Sequence, residues 1–186
     1  LNDMAIAANY LLEQERAKKI LIVDLDVHQG NGTAQIFATE PRVFTFSMHG
    51  DHNYPLHKEK SDVDIPLPDG IEDAAYLKIL FEQLPRLIDQ VRPDFIFYQA
   101  GVDILNTDKL GRLKVTLQGC KTRDKFVLET CKQNQIPVAV SMGGGYSEKI
   151  ATIVEAHANT FRLAQYLFFK FLYHSGPRVL PKLLLG

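Results

Sequence analysis

Residues 24–32 read Asp-Leu-Asp-Val-His-Gln-Gly-Asn-Gly, with two carboxylates and an imidazole at alternate positions. Alternate residues of an extended strand point to the same face, which puts Asp24, Asp26 and His28 together. Three ionisable groups on one face of a buried strand end are costly to desolvate unless something compensates. A divalent cation compensates, and a carboxylate and imidazole donor set suits zinc, with iron(II) and cobalt as close competitors. The other reading of the same string is a hydrogen-bonded polar strand end at a turn.

A second string, Gln99-Ala100-Gly101-Val102-Asp103, places an aspartate just past another apolar run. Alone, such a residue reads as a helix cap or turn aspartate. Beside the first cluster, Asp103 is a candidate third ligand. Two aspartates and one histidine leave zinc a position open for water, which is the catalytic pattern. The third string is Gly143-Gly144-Gly145-Tyr146. Consecutive glycines let backbone come close to a ligand, and the Tyr146 hydroxyl can donate to an oxyanion. Its alternative is a glycine turn beside a packed tyrosine. No Gly-Lys-Ser/Thr follows and the spacing is not a dinucleotide fingerprint.

The elements that must position these groups alternate along the chain. Residues 5–16 read as a helix with Ile6, Tyr10 and Leu11 on one face. Residues 19–26 form an unbroken apolar strand, of the kind buried on both faces, and 43–48 a second. The polar, proline-bearing stretch 50–70 reads as a surface loop. Residues 71–91 read as a helix kinked at Pro85, 94–100 and 137–142 as strands, 117–134 and 147–173 as helices. This alternation implies an α/β fold with an open, mainly parallel sheet and helices on both faces. Ligands of such sheets bind at the carboxyl ends of the strands. The groups named above stand there, as do Ser47 and His49.

The 186 residues amount to one domain, 1–186, with a leucine-rich tail at 177–186 assigned to no element. A net charge of −1 gives no support for a nucleic-acid groove or an anionic membrane surface. No apolar run has membrane length and no signal peptide is legible. Cys120 and Cys131 form no metal motif, and reduced thiols place the protein in the cytoplasm, or the nucleus of a eukaryote. Leu1-Asn2-Asp3 reads as the inside of a helix, so the chain is expected to be part of a longer protein.

The Asp-x-Asp-x-His-x-Gly-x-Gly string, Gly101-x-Asp103 followed by Asp108-x-Leu110-Gly111 and Leu113-x-Val115-Thr116, and the glycine run ending in Tyr146 resemble the histone deacetylase family. The likeness runs from residue 1 to about 173, within the arginase/deacetylase fold, here incomplete at its N-terminus. Asn31 and the short glycine run are most similar to class IV and bacterial members. The resemblance implies zinc held by Asp26, His28 and Asp103, with Tyr146 bonding the substrate carbonyl and then the oxyanion. It gives Asp24 two roles, binding potassium and orienting a catalytic histidine, and sets Asn31 where class I members carry an aspartate beside such a histidine. Ser47 and backbone oxygens of Asp26, His28 and Met48 would complete that potassium site. A second would use backbone oxygens near Phe37, Glu40, Val43 and Ser61. Tyr54 would wall the acyl-lysine channel, and Gly144 and Gly145 would bring its floor close.

The implied reaction is hydrolysis of the amide of an acylated lysine, in a protein or another acylated amine, by a zinc-bound water. Acetylpolyamine hydrolysis is the alternative within the family, favoured by an acidic loop holding Asp51, Glu59, Asp62 and Asp64. An arginase-like two-manganese site is disfavoured, because Asn31 replaces a carboxylate and Ile104-Leu105 follow Asp103. The family's general base is a tandem His-His pair. The chain has His28, His49, His52, His57, His157 and His174, no two adjacent. The dyad is therefore expected before Leu1. Without it the chain reads, as a further alternative, as a catalytically incomplete metal-binding or interaction module.

Overall fold

The computed structural model describes residues 2–169. Its elements in chain order are α1 (Asp3–Glu13), β1 (Ile20–Asp24), α2 (Asn31–Phe37), β2 (Val43–Gly50), β3 (Val63–Leu67), α3 (Asp73–Val91), β4 (Phe95–Gln99), α4 (Leu117–Gln133), β5 (Val138–Ser141) and α5 (Ile150–Phe168). The strands form one sheet in the order β3-β2-β1-β4-β5, and every neighbouring pair is parallel. The α/β architecture expected from the sequence is therefore the one observed.

β1 lies at the centre, and all of its residues are buried, as its continuous apolar run requires. Alternation divides that run between two cores. Leu21 and Val23 pack with Tyr76, Leu80 and Leu84 of α3, Val127 of α4 and Ala156 of α5. Ile20 and Ile22 pack on the other side with Met4, Ala8 and Leu12 of α1 and Phe37 of α2. Burial of each such side chain contributes roughly 1.5–3 kcal/mol. The sheet's position is thus over-determined from both faces, and its carboxyl ends are fixed in space. No described helix is long and apolar enough to cross a membrane.

Four details differ from the sequence reading. The stretch 50–70 holds β3, a short edge strand whose first four residues are partly or fully exposed. Little apolar alternation marks it, and Pro66 is tolerated because it lies at the edge. α2, only seven residues long and without a side-chain cap, begins in the glycine-containing string after His28. α1 opens at Asp3 with Asn2 as its side-chain cap, so Asn2 and Asp3 start a helix and are not inside one. β1 stops at Asp24, so Asp26 and His28 are not strand residues. The expected helix end at 173, His174 and the tail 177–186 lie outside the described residues, as does Leu1.

Candidate functional site

Two turns, not strand alternation, bring the ligand candidates together. Beyond the end of β1, Asp24 Oδ1 accepts the Asp26 backbone N–H at 3.1 Å and Asp26 Oδ1 accepts that of His28 at 2.9 Å. Short acidic side chains favour such turns by capturing the N–H two residues on. Asp103, past the end of β4, accepts the Val27 N–H through Oδ1 at 3.0 Å. His28 Nδ1 then lies 3.2 Å from Asp26 Oδ1 and 3.1 Å from Asp103 Oδ2. One donor atom from each of Asp26, His28 and Asp103 falls within 4.8 Å of the other two. Asp24 is not in this cluster. It points elsewhere, buried beside Ser47, its register partner on β2.

The charges explain what this arrangement is built for. The Asp103 and Asp26 carboxylates outweigh partial burial and push His28 up to about 10. Burial raises Asp103 above the usual carboxylate range. Burial acts on Asp26 in the same sense, but hydrogen bonds from His28 and from the Gly144 N–H at 3.0 Å outweigh it and leave Asp26 lowered. Burial, then the Asp26 charge, holds Asp24 well above its ordinary value. An imidazolium thus neutralises two converging carboxylates, a place that a divalent cation could take with greater charge once His28 is neutral. The donor set fits zinc with an open position. The surroundings are tight: a Cβ added to Gly101 would overlap the Asp26 carboxylate, and one added to Gly144 would overlap that of Asp103.

The structure sets the other candidates around this centre. Tyr146 follows the glycine run and is 49% exposed. Its ring borders Gly144, and its backbone N–H donates to Asp108 Oδ2 at 2.6 Å. Asp108 Oδ1 also accepts the N–H groups of Leu110 and Gly111, each at 2.8 Å. Gly145 packs toward Val102 and Ile153. Asn31 opens α2 and donates its backbone N–H to the Gln29 carbonyl at 2.8 Å. Asp24, Ser47 and Ser61 border one cavity of about 10 Å³ with Thr33 and Thr45. Met48 is buried in β2. Phe37, Glu40 and Val43 do not border that cavity. Phe37 ends α2, Glu40 pairs with Arg42 at 2.7 Å, and Val43 opens β2.

Tyr54 stands exposed on a loop that Lys58 ties down, its Nζ donating to the carbonyls of Asp51, Asn53 and Pro55 at 3.0, 2.7 and 2.6 Å. His49 lies inside β2, not after it, buried with Nδ1 2.9 Å from Ser47 Oγ. Burial keeps its pKa low, favouring the neutral ring. His52 meets Asp69 at 3.3 Å on the surface, and His157 lies on α5.

Two residues that matter here escaped the sequence reading. Gln29 is buried and clamps the turn after β1 to the β3 approach. Its Nε2 donates to the Glu59 carbonyl at 2.7 Å and to Asp64 Oδ1 at 2.8 Å, while its Oε1 accepts the Glu59 N–H at 2.9 Å. Arg123 is buried in α4, with Asp124 beside it. The available signal was helical spacing. Arg123 and Asp124 fall on the stripe of Cys120, Val127 and Cys131, where a charged pair needs a reason.

Comparison with known proteins adds the following. The family model described as the histone deacetylase domain matches residues 1–161. An uncharacterized protein of Picosynechococcus sp. is 48% identical over 165 residues, covering 89% of this chain and 55% of that protein. Histone deacetylase B of Dictyostelium discoideum is 33% identical over 159 residues, covering 79% of this chain and 36% of its own length. Among solved structures, an acetylpolyamine aminohydrolase from Burkholderia pseudomallei matches with a TM-score of 0.76 at 25% identity, over 90% of this chain and 50% of that one. The HD domain of HDA15 shares the fold, with a TM-score of 0.69 at 23% identity over 90% of this chain and 55% of that one. The chain spans about half or less of the length of the proteins it matches.

Proposed function

The chain belongs to the histone deacetylase family, and on that premise we propose that Asp26, His28 and Asp103 are the metal ligands for zinc-dependent hydrolysis of the amide of an acylated lysine. The observation that carries this reading is the convergence of two carboxylates and an imidazole at the carboxyl ends of β1 and β4, within 4.8 Å of one another. Zinc bound there would polarise the acyl carbonyl and acidify a water toward a pKa of about 7. The protein's own groups do the rest of what is assigned here. His28 would give up its proton to hold the cation. Asp26 is held in its charged form by the N–H groups of His28 and Gly144. Tyr146 donates its hydroxyl to the acyl oxygen as negative charge develops there. Among the described residues no other histidine joins the cluster, and the proposal assigns none of them the role of general base.

Potassium is the second proposed ion, held by Asp24 and Ser47 with backbone oxygens of Asp26, His28 and Met48. The support is a cavity of about 10 Å³ that Asp24 and Ser47 border, room for one water; Asp26, His28 and Met48 do not line it and rest on the family likeness. The site at Phe37, Glu40, Val43 and Ser61 rests on the family likeness alone.

An acetylpolyamine is the second substrate reading, favoured by the Burkholderia structure. The acidic loop supports it less than its composition suggests. Asp62 is engaged by Thr45 at 2.8 and 2.9 Å, and Asp64 by Gln29 and the Ser61 N–H, both at 2.8 Å. Asp51 and Glu59 are left exposed. The test is hydrolysis of an acetyl-lysine peptide and of an acetylated diamine by the zinc-loaded protein, with Tyr146→Phe as control. No other described histidine joins the cluster, so zinc-dependent cleavage of the peptide that Tyr146→Phe suppresses would place a general base within these residues. Preference for the diamine would shift the reading to the polyamine class. One zinc bound with neither substrate cleaved would assign the chain metal binding without catalysis.

A further inference from the structure

Below the metal turns lies a polar group that the chemistry above does not use. The last registered pair of β1 and β4 is Asp24 with Gln99. The carbonyls of Leu25, Ala100 and Gly101 lie past that pair, in the buried floor of the site. Arg123 reaches them from α4. Its Nη1 donates to the Leu25 carbonyl at 3.1 Å and to that of Gly101 at 2.6 Å, and Nη2 to that of Ala100 at 3.3 Å. Its Nε donates to Asp124 Oδ1 at 2.8 Å. Asp124 in turn accepts the Tyr98 hydroxyl at 2.6 Å and the Thr160 hydroxyl at 2.6 Å. The guanidinium also lies 5.8 Å from the Tyr98 ring centroid. Arg123 and Asp124 are both 0% exposed.

A buried ion pair is a poor way to gain stability, since a well-packed apolar pair of similar volume does as well or better. What a guanidinium offers that apolar packing does not is a rigid fork of donors. Here the fork joins the residue before Asp26 to the two residues before Val102 and Asp103. It therefore sets the separation of the two ligand-bearing turns, on which the Asp103–Val27 hydrogen bond and the His28 contacts depend.

We propose that Arg123 is a positioning residue for the metal centre, holding the turns that carry Asp26, His28 and Asp103 at ligand spacing from beneath. This rests on the metal-site reading above. Loss of such a supporting partner costs about 10- to 100-fold in metal affinity where it has been tested in metalloproteins.

The experiment is a cobalt(II) titration of the full chain by calorimetry and visible absorption, with thermal unfolding measured alongside. Arg123→Lys keeps the charge but not the fork. Arg123→Met with Asp124→Leu removes the pair without leaving a lone buried charge. Thr160→Val is the control, weakening the network behind Asp124 without touching the three carbonyls. Both Arg123 variants are expected to bind cobalt about 10- to 100-fold more weakly, with an altered ligand-field spectrum. Thr160→Val is expected to lower the melting temperature while affinity and spectrum stay as in the parent. If the double variant does not fold, Arg123→Lys against Thr160→Val decides. Unchanged affinity and spectrum in Arg123→Lys would overturn the proposal. So would a loss of affinity in Thr160→Val that follows its loss of stability. If the parent chain binds no cobalt, the metal-site reading fails and this inference with it; normal parental binding with a silent Arg123→Lys sinks this inference alone.

Discussion

The turns after β1 and β4 and the Tyr146 segment after β5 are neighbours, yet they are held in different ways. Asp26 and Asp103 are 8% and 0% exposed, and each carboxylate is fixed by backbone N–H groups from other parts of the chain. Tyr146 is 49% exposed and is tethered through its backbone to Asp108. β1, which leads into the first turn, is buried throughout, whereas every residue of the edge strand β5 is only partly buried. On the proposed function, the contrast separates two tasks. Metal ligands must hold their spacing before an ion arrives, because two converging carboxylates repel each other. A hydroxyl that donates to a developing oxyanion meets its partner only when substrate is present. Changes in the first region should therefore act on metal binding, and changes at Tyr146 on turnover alone.

The largest effect is expected from Asp103→Ala, which should abolish measurable zinc binding. It should also bring the His28 ring back toward its ordinary range, because Asp103 is the main cause of its elevation. NMR titration of the imidazole reads that shift directly, and a His28 that still titrates near 10 would break the account of the cluster's charges.

Next is Tyr146→Phe. In zinc-loaded protein that turns over substrate, kcat should fall about 10²- to 10³-fold, the usual effect of losing one oxyanion donor. Zinc affinity, measured by calorimetry, should not change. A parallel loss of affinity would erase the distinction between the two regions.

Smaller is the effect of a single methyl group at the floor of the site. Gly101→Ala forces its Cβ onto the Asp26 carboxylate, and overpacking of this kind costs about 1–3 kcal/mol. Gly32→Ala is its control, since the nearest atom to a Cβ there is 4.0 Å away. Thermal unfolding and zinc affinity should both suffer in the first and neither in the second.

The most gradual effect is on pH. The His28 pKa is raised in the folded, metal-free protein to about 10 from the usual 6.5. The stability this contributes is complete below 6.5 and is lost as pH rises through about 10. Zinc must displace the same proton, so zinc affinity should rise across that window while metal-free stability declines. Equal slopes of the same sign would contradict the assignment of that proton to His28.

What was legible in the sequence follows from the range of the interactions involved. The buried strands announce themselves through local apolar runs such as Ile20-Leu21-Ile22-Val23. Asp26, His28 and Asp103 come together because parallel strands end on the same side. The first two are nevertheless placed by Asp-capped turns and not by strand alternation, because β1 ends at Asp24. β3 was missed because an exposed edge strand of five residues carries little hydrophobic signal. Gln29 and Arg123 were missed because most of their partners are distant: Glu59 and Asp64 for one, and the carbonyls of Leu25, Ala100 and Gly101 for the other. Backbone groups have no identity in a sequence, so nothing local marks the side chain that will satisfy them. His49, placed after its strand by the apolar pattern, lies within it because β2 continues to Gly50.

The central claim is that a metal centre exists at the ends of β1 and β4. Its most direct test is calorimetric titration of the metal-free chain with zinc at about pH 6, below the pKa of about 7 of a zinc-bound water, in two buffers of different ionisation enthalpy. The account predicts one zinc per chain, one proton released from His28, and loss of binding in Asp26→Asn and in Asp103→Asn. Absence of saturable binding, or binding that survives both substitutions, would contradict it.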